Sequence, residues 1–186
     1  MSSVLVLCGS LRPASFTRKA LEVAAEAAQK SGCNVTWGDL RLPLMEEGTT
    51  ETEPSVQAFR AAVRTTDALL VGTPVYHDSV SGTLKNAIDH LYGELSEKVV
   101  GVLAVGGGRA GQGQALEHLR ASFRETSAWV LPRQVVIPAA KSAFDEAGVL
   151  KEPELVQRLQ VLGTELALRC RQLRPKRPAP VTGTAR

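Results

Sequence analysis

Aromatic residues are scarce in this chain of 186 residues, with four phenylalanines, two tyrosines and two tryptophans making up 4% of it. Nucleic-acid recognition needs a clustered basic face interleaved with stacking aromatics. The net charge of only +3, from 22 basic and 19 acidic residues with no Lys/Arg block inside the fold, removes the other half of that requirement. Cysteine is equally sparse. Cys8, Cys33 and Cys170 are odd in number and far apart, which fits neither a disulfide framework nor a cysteine-based zinc motif. Cys8 and Cys170 lie in apolar stretches and read as small buried hydrophobes. No apolar run approaches membrane-spanning length, and a strand opens almost at once where a secretory signal would need a basic segment and an apolar core. These absences predict a soluble, cytoplasmic protein with no nucleic-acid or membrane partner.

An apolar content of 44% with 22% charged residues suits one well-buried core. Short runs rich in Val and Leu predict strands at Val4 to Cys8, Cys33 to Trp37, Ala68 to Gly72, Lys98 to Val105 and Trp129 to Ile137. Pro132 marks the last of these as interrupted or at an edge. Helical spacing alternates with them. Thr17 to Lys30 carries a small-residue face of Ala20, Ala24, Ala25 and Ala28, and Gly32 follows as a left-handed stop. Pro54 opens a second helix, and Gly82 to Tyr92, Gln112 to Glu125 and Pro153 to Leu173 supply three more. Strict alternation with right-handed crossovers predicts an open, doubly wound parallel sheet with helices on both faces. Residues 1–174 form a single domain on this reading, and residues 175–186, proline-rich and basic, a flexible tail. Asp39 to Thr52 is a long irregular connection of the functional or mobile kind.

Ligands of such sheets bind at the carboxyl ends of the strands, and three loops there carry chemistry. Gly9-Ser10-Leu11-Arg12-Pro13-Ala14-Ser15-Phe16-Thr17 gathers three hydroxyls and a guanidinium ahead of a helix N-terminus. That is a phosphate cradle by composition, or else a capping cluster with a solvated arginine. It has neither the Gly-Lys-Ser/Thr of a P-loop nor the three glycines of a dinucleotide fingerprint. Thr73-Pro74-Val75-Tyr76-His77-Asp78-Ser79-Val80-Ser81-Gly82 offers a flat ring, hydroxyls and backbone donors from Val75 to Ser79. It suits a flat heteroaromatic ligand, or is a proline turn with one exposed tyrosine. Gly106-Gly107-Gly108, with Arg109 beside it, either lets a ligand approach the backbone or is a plain flexible turn.

Other chemistries lack their residues. His77, His90 and His118 do not pair with carboxylates at metal-ligand spacing, and His90 reads as helix surface. No Gly-x-Ser-x-Gly elbow is present, and no aspartate ends a core strand to accept a phosphoryl group. With no evident general base, a redox cofactor that needs positioning more than protein acids and bases is the better fit.

Gly9-Ser10-Leu11-Arg12-x-x-Ser15, Thr73-Pro74-Val75-Tyr76-x-x-Ser79-x-x-Gly82-x-Leu84-Lys85-Asn86-Ala87-Ile88-Asp89 and Gly106-Gly107-Gly108 together resemble the NAD(P)H-dependent FMN reductases. The likeness covers about residues 3–140. It implies a flavodoxin-like three-layer sandwich with a five-stranded parallel sheet in the order 2-1-3-4-5. By resemblance, Ser10, Arg12, Ser15, the Phe16 amide and Thr17 would hold the FMN phosphate. Pro74, Val75, Tyr76, His77 and Ser79 would border the isoalloxazine ring, with Gly106, Gly107 and Gly108 along its other edge; on the residues alone, Arg109 is either an NAD(P)H phosphate contact or a solvated arginine. Hydride passes from NAD(P)H to the flavin N5 in this family, so no catalytic side chain and no metal is expected. The electrons go on to free flavin, a quinone, chromate or an azo compound. Many members have proline where this chain has Ser81, a change expected to loosen the ring loop, and asparagine in place of Thr17. Members are dimers or tetramers, and Asp39 to Thr52 would then lie near a neighbouring site. The alternative is a flavodoxin-type electron carrier with no hydride-donor site.

Overall fold

The computed structural model describes residues 1–108 and 112–173. Arg109 and the tail from residue 174 onward, both singled out in the sequence, lie outside the described residues. Five strands, β1 (Ser2–Cys8), β2 (Cys33–Trp37), β3 (Ala68–Pro74), β4 (Val99–Val105) and β5 (Trp129–Ile137), form one parallel sheet in the order β2-β1-β3-β4-β5. The three central strands are buried almost throughout, because helices cover both faces of the sheet. That is the expected order and architecture. Pro132 falls within a bulge, where Val100 pairs with Val130 but Val102 pairs with Gln134, on an edge strand.

On one face, α1 (Phe16–Lys30) and α6 (Pro153–Leu173) enclose Val4, Val6, Leu70, Leu103 and Ile137. The small residues of α1 serve helix-to-helix as well as helix-to-sheet packing: a Cβ on Gly163 would collide with the Ala24 carbonyl oxygen. On the other face, α2 (Pro54–Thr65), α3 (Gly82–Asp89) and α4 (Gln112–Glu125) pack Phe59, Leu84, Leu116 and Phe123 against Leu5, Leu69 and Val102. The short helix α5 (Ala140–Ala143) and a single 3-10 turn at Thr50–Thr52 carry no periodic signal long enough to be legible.

Two expectations need correction. His90 is not on the surface. It is 2% exposed at the C-cap of α3, which ends at Asp89 short of Tyr92, and its Nε2 lies 3.0 Å from the Pro43 carbonyl oxygen. A carbonyl only accepts, so the Nε2 of His90 carries the proton. The connection from Asp39 to Thr52 is likewise fastened. Asn86 accepts the Met45 N–H at 2.8 Å and donates to the Pro43 carbonyl at 2.9 Å, while the Tyr92 hydroxyl reaches Glu51 at 3.1 Å. Within the quoted motif, Asn86 is therefore the residue that ties this loop to α3.

Candidate functional site

The carboxyl ends of β1, β3 and β4 bring all three sequence-marked loops to one edge of the sheet. The first loop leaves β1 at Gly9, whose N–H donates to the Gly72 carbonyl at 2.8 Å. A side chain there would meet Ser81 Oγ at 2.8 Å, so only glycine allows the two loops to lie this close. Beyond it, the Ser10 N–H faces the Cys8 sulfur, and the N–H groups of Leu11, Arg12, Ala14, Ser15, Phe16 and Thr17 find no acceptor among the described residues. Ser15 caps α1 by accepting the Arg18 N–H at 3.4 Å, which leaves its own hydroxyl hydrogen to donate. Phe16 is anchored from outside, its ring stacked on Phe144 at 4.8 Å between centroids. Thr17 is buried and Arg12 exposed. A cavity of about 270 Å³ opens between this loop and residues 38–41, with Arg12 and Arg18 in its wall. Arg18 lies over the Trp37 ring at 4.4 Å.

No carboxylate occurs between Gly9 and Thr17. A row of donors, a cation and a helix N-terminus with no internal acceptor match a phosphate monoester. The Cys8 thiol beside it is buried. Burial raises its pKa against the lowering influence of the Ser10 N–H, Arg18 and Ser15, and its Sγ also lies 3.5 Å from the Ser10 carbonyl oxygen.

The second loop is built differently. Val75 N–H donates to the Val105 carbonyl at 3.0 Å, and Tyr76 and Ser79 exchange backbone bonds at 3.1 and 2.9 Å. Three of the five donors expected from Val75 to Ser79 are thus already committed, and His77 and Asp78 keep theirs. Those two residues sit at φ 49° and 56° in a two-residue hairpin turn normally made by Asn and Gly. Left-handed backbone without glycine costs roughly 1 kcal/mol apiece, a strain typical of functional turns. Tyr76 stands 53% exposed above the turn.

Ser81 does the reverse of loosening this loop. It is 2% exposed, and its Oγ donates to the Gly9 carbonyl at 2.7 Å while accepting the Leu84 N–H at 3.2 Å to cap α3. Its N–H donates to Thr73 Oγ1 at 3.0 Å. A proline at this position has neither the hydroxyl nor the N–H, so here the serine itself joins the first loop to the second.

In the third loop, Gly106 N–H donates to Ile137, and the carbonyls of Gly106 and Gly108 accept from Ala140 and Ala139 at 2.9 and 2.8 Å. Gly107 is exposed, and a Cβ there would meet nothing within 4 Å. The N–H groups of Gly107 and Gly108 have no acceptor among the described residues. The three loops therefore present an anion-binding end, an exposed tyrosine and free backbone donors along one edge of the sheet. That is a fit to a phosphorylated, flat heteroaromatic such as FMN. Asn86, Ser81, His118 and Phe144 carried no local sign of their place around this edge, because each acts on a partner remote in sequence.

The profile of the NADPH-dependent FMN reductases matches residues 2–142. The chain belongs to the NADPH-dependent FMN reductase family. It is 34% identical over 179 residues to an NAD(P)H-dependent FMN reductase of Pseudomonas aeruginosa, covering 92% of this chain and 96% of that protein. It is also 36% identical over 160 residues to a quinone reductase of Pseudomonas putida, covering 81% and 85% respectively. Among solved structures, the flavoenzyme NAD(P)H:(acceptor) oxidoreductase FerB of Paracoccus denitrificans superposes with a TM-score of 0.79 at 22% identity, over 92% of this chain and 98% of that one. Like the other members of the family, this FMN reductase is an oxidoreductase that uses FMN and NAD(P)H. No helix among its described residues is long and apolar enough to cross a membrane.

Proposed function

We propose that the first loop is the seat of the FMN phosphate and that the Tyr76 turn and the Gly106 to Gly108 turn flank its ring. One observation supports this reading: six N–H groups of the loop that carries Arg12, running into a helix N-terminus, have no acceptor among the described residues. When bound, FMN supplies two-electron chemistry between NAD(P)H and a second acceptor. The chain contributes the rest. Ser10, Arg12, Ser15, Phe16 and Thr17 hold the charged end, and the rigid join at Ser81 fixes its distance from the Tyr76 turn. The free N–H groups of His77, Asp78, Gly107 and Gly108 stabilise negative charge that develops along this edge of the sheet. Pro74, Val75 and Tyr76 give a flat boundary, and Ser79 adds a hydroxyl. Arg109, next in sequence after the glycine turn, is assigned to an NAD(P)H phosphate.

Membership in a family of reductases disfavours a flavodoxin-type carrier. The acceptor is assigned to the class of free flavin, quinone, chromate or azo compound. We further assign residues 1–174 to one FMN-binding domain that works in the cytoplasm as a homodimer or homotetramer. Leu44, 82% exposed on the loop pinned to α3, and the half-exposed Tyr92 nearby support a second copy on that face. Mixing FMN-loaded protein with NADPH tests the whole reading. Bleaching of the flavin band at about 450 nm is expected, and an unchanged spectrum rejects it.

A further inference from the structure

The tip of the Tyr76 turn is held by a residue that the family motifs do not contain. His118, on α4, places Nδ1 3.0 Å from Ser79 Oγ, and Gln114, one turn earlier on the same helix, places its side-chain amide nitrogen 3.1 Å from His118 Nε2. An amide nitrogen donates, so Nε2 accepts and the proton sits on Nδ1. Nδ1–H then donates to Ser79 Oγ, and the Ser79 hydroxyl hydrogen is left to point elsewhere.

The rest of the turn shows why this contact matters. Its two ends are fixed by Val75 N–H on Val105 and by Ser81 on Gly9 and Thr73. Between them stand two non-glycine residues in left-handed backbone, which favours relaxation of the tip. Among the described residues, Ser79 to His118 is the only side-chain hydrogen bond made by residues 76–79. It joins the β3–α3 loop to α4, the helix that follows the glycine turn in sequence.

We propose that His118 is a positioning residue that clamps Ser79, and with it the strained Tyr76 turn, against α4, so that the turn is already in place to receive the flavin ring. The last clause rests on the FMN assignment above, while the clamp itself does not. The test therefore has two arms. In the flavin-free protein, amide hydrogen exchange at Tyr76 and Ser79 reports the turn directly. His118→Ala is expected to speed exchange at both about fivefold, the equivalent of one neutral hydrogen bond, and His118→Asn, which keeps a donor near the Nδ1 position, to restore most of it. Unchanged exchange in His118→Ala overturns the clamp whether or not FMN binds. In the second arm, FMN is titrated by flavin fluorescence. His118→Ala is expected to raise the dissociation constant about fivefold in the wild-type background and to have no further effect on top of Ser79→Ala. An equal penalty in both backgrounds overturns the link through Ser79. Failure of the wild-type protein to take up FMN rejects the cofactor assignment and the receiving role together, while the exchange arm still decides the clamp. His118 is exposed and Ser79 partly so, and an unaltered melting temperature separates these effects from a loss of fold.

Discussion

Polar groups gather at both ends of the sheet, but they live under opposite conditions. At the amino ends of the strands, Lys98, Asp67 and Glu94 all have partners. Lys98 Nζ donates to the Thr66 and Arg64 carbonyls at 2.6 and 3.4 Å, and Asp67 accepts from both the N–H and the hydroxyl of Ser3. Glu94 accepts from Arg60 at 2.7 Å, Arg64 at 3.1 Å and the Tyr92 N–H at 3.0 Å. At the carboxyl ends, the N–H groups of Leu11, Arg12 and residues 14–17 have no acceptor among the described residues, and the Tyr76 turn holds two left-handed residues. The first end spends its polar groups on stability. The second keeps them uncommitted within the protein and so free to meet a ligand. Ser81 marks the boundary, since it lies at the carboxyl end yet is fully bonded, and by this criterion it belongs to the architecture.

That division is open to attack at several residues. Ser81→Ala strands the Gly9 carbonyl and the Leu84 N–H in the interior. It is expected to lower unfolding stability by about 2 to 3 kcal/mol, read from denaturant midpoints, and to weaken FMN binding as the two loops part. A stability within error of wild type would make Ser81 dispensable. Glu94→Gln comes next, at about 1 to 2 kcal/mol, with FMN affinity unmoved.

The pH dependence follows from the same carboxylate. Burial alone would raise the pKa of Glu94, but hydrogen bonds from Arg60, its own backbone and Tyr92, with the charge of Arg60, outweigh it and hold the group below its ordinary value of 4.5. A depressed pKa stabilises the fold above the unfolded value, and that contribution fades as pH falls through the lower folded one. Acid unfolding between pH 4.5 and lower values should be shallower in Glu94→Gln than in wild type. Identical acid profiles would contradict the network. The smallest effect is a gain: Asp78→Gly should raise stability by roughly 0.5 to 1 kcal/mol, because glycine accepts the left-handed backbone without strain. A loss there would mean that the Asp78 side chain holds the turn.

Much of this organisation is legible along the chain. The strands announce themselves as apolar runs, and the covered faces of α1, α2, α4 and α6 as helical spacing, because both signals are local. The three ligand loops are legible for the same reason, since their chemistry is concentrated within a few residues. What holds those loops in place is not. Ser81 reaches Gly9 across 72 positions, Asn86 reaches Pro43 across 43, and Ser79 meets His118 across 39. A serine that will cap a helix and bridge two loops is locally indistinguishable from one in a solvated turn. His90 misleads in the same way, for its buried partner is a backbone carbonyl, which leaves no trace in the side-chain pattern.

The uncommitted donors around Arg12 can be interrogated by a single pair of titrations, FMN against riboflavin, in wild type and in Arg12→Ala. Riboflavin has the ring without the phosphate. FMN should bind wild type at least tenfold more tightly than riboflavin, and Arg12→Ala should erase on the order of tenfold of that preference, the size of a charge-assisted hydrogen bond, with riboflavin affinity and melting temperature unchanged. Equal affinity of the wild-type protein for the two flavins would contradict a phosphate seat at residues 10–17.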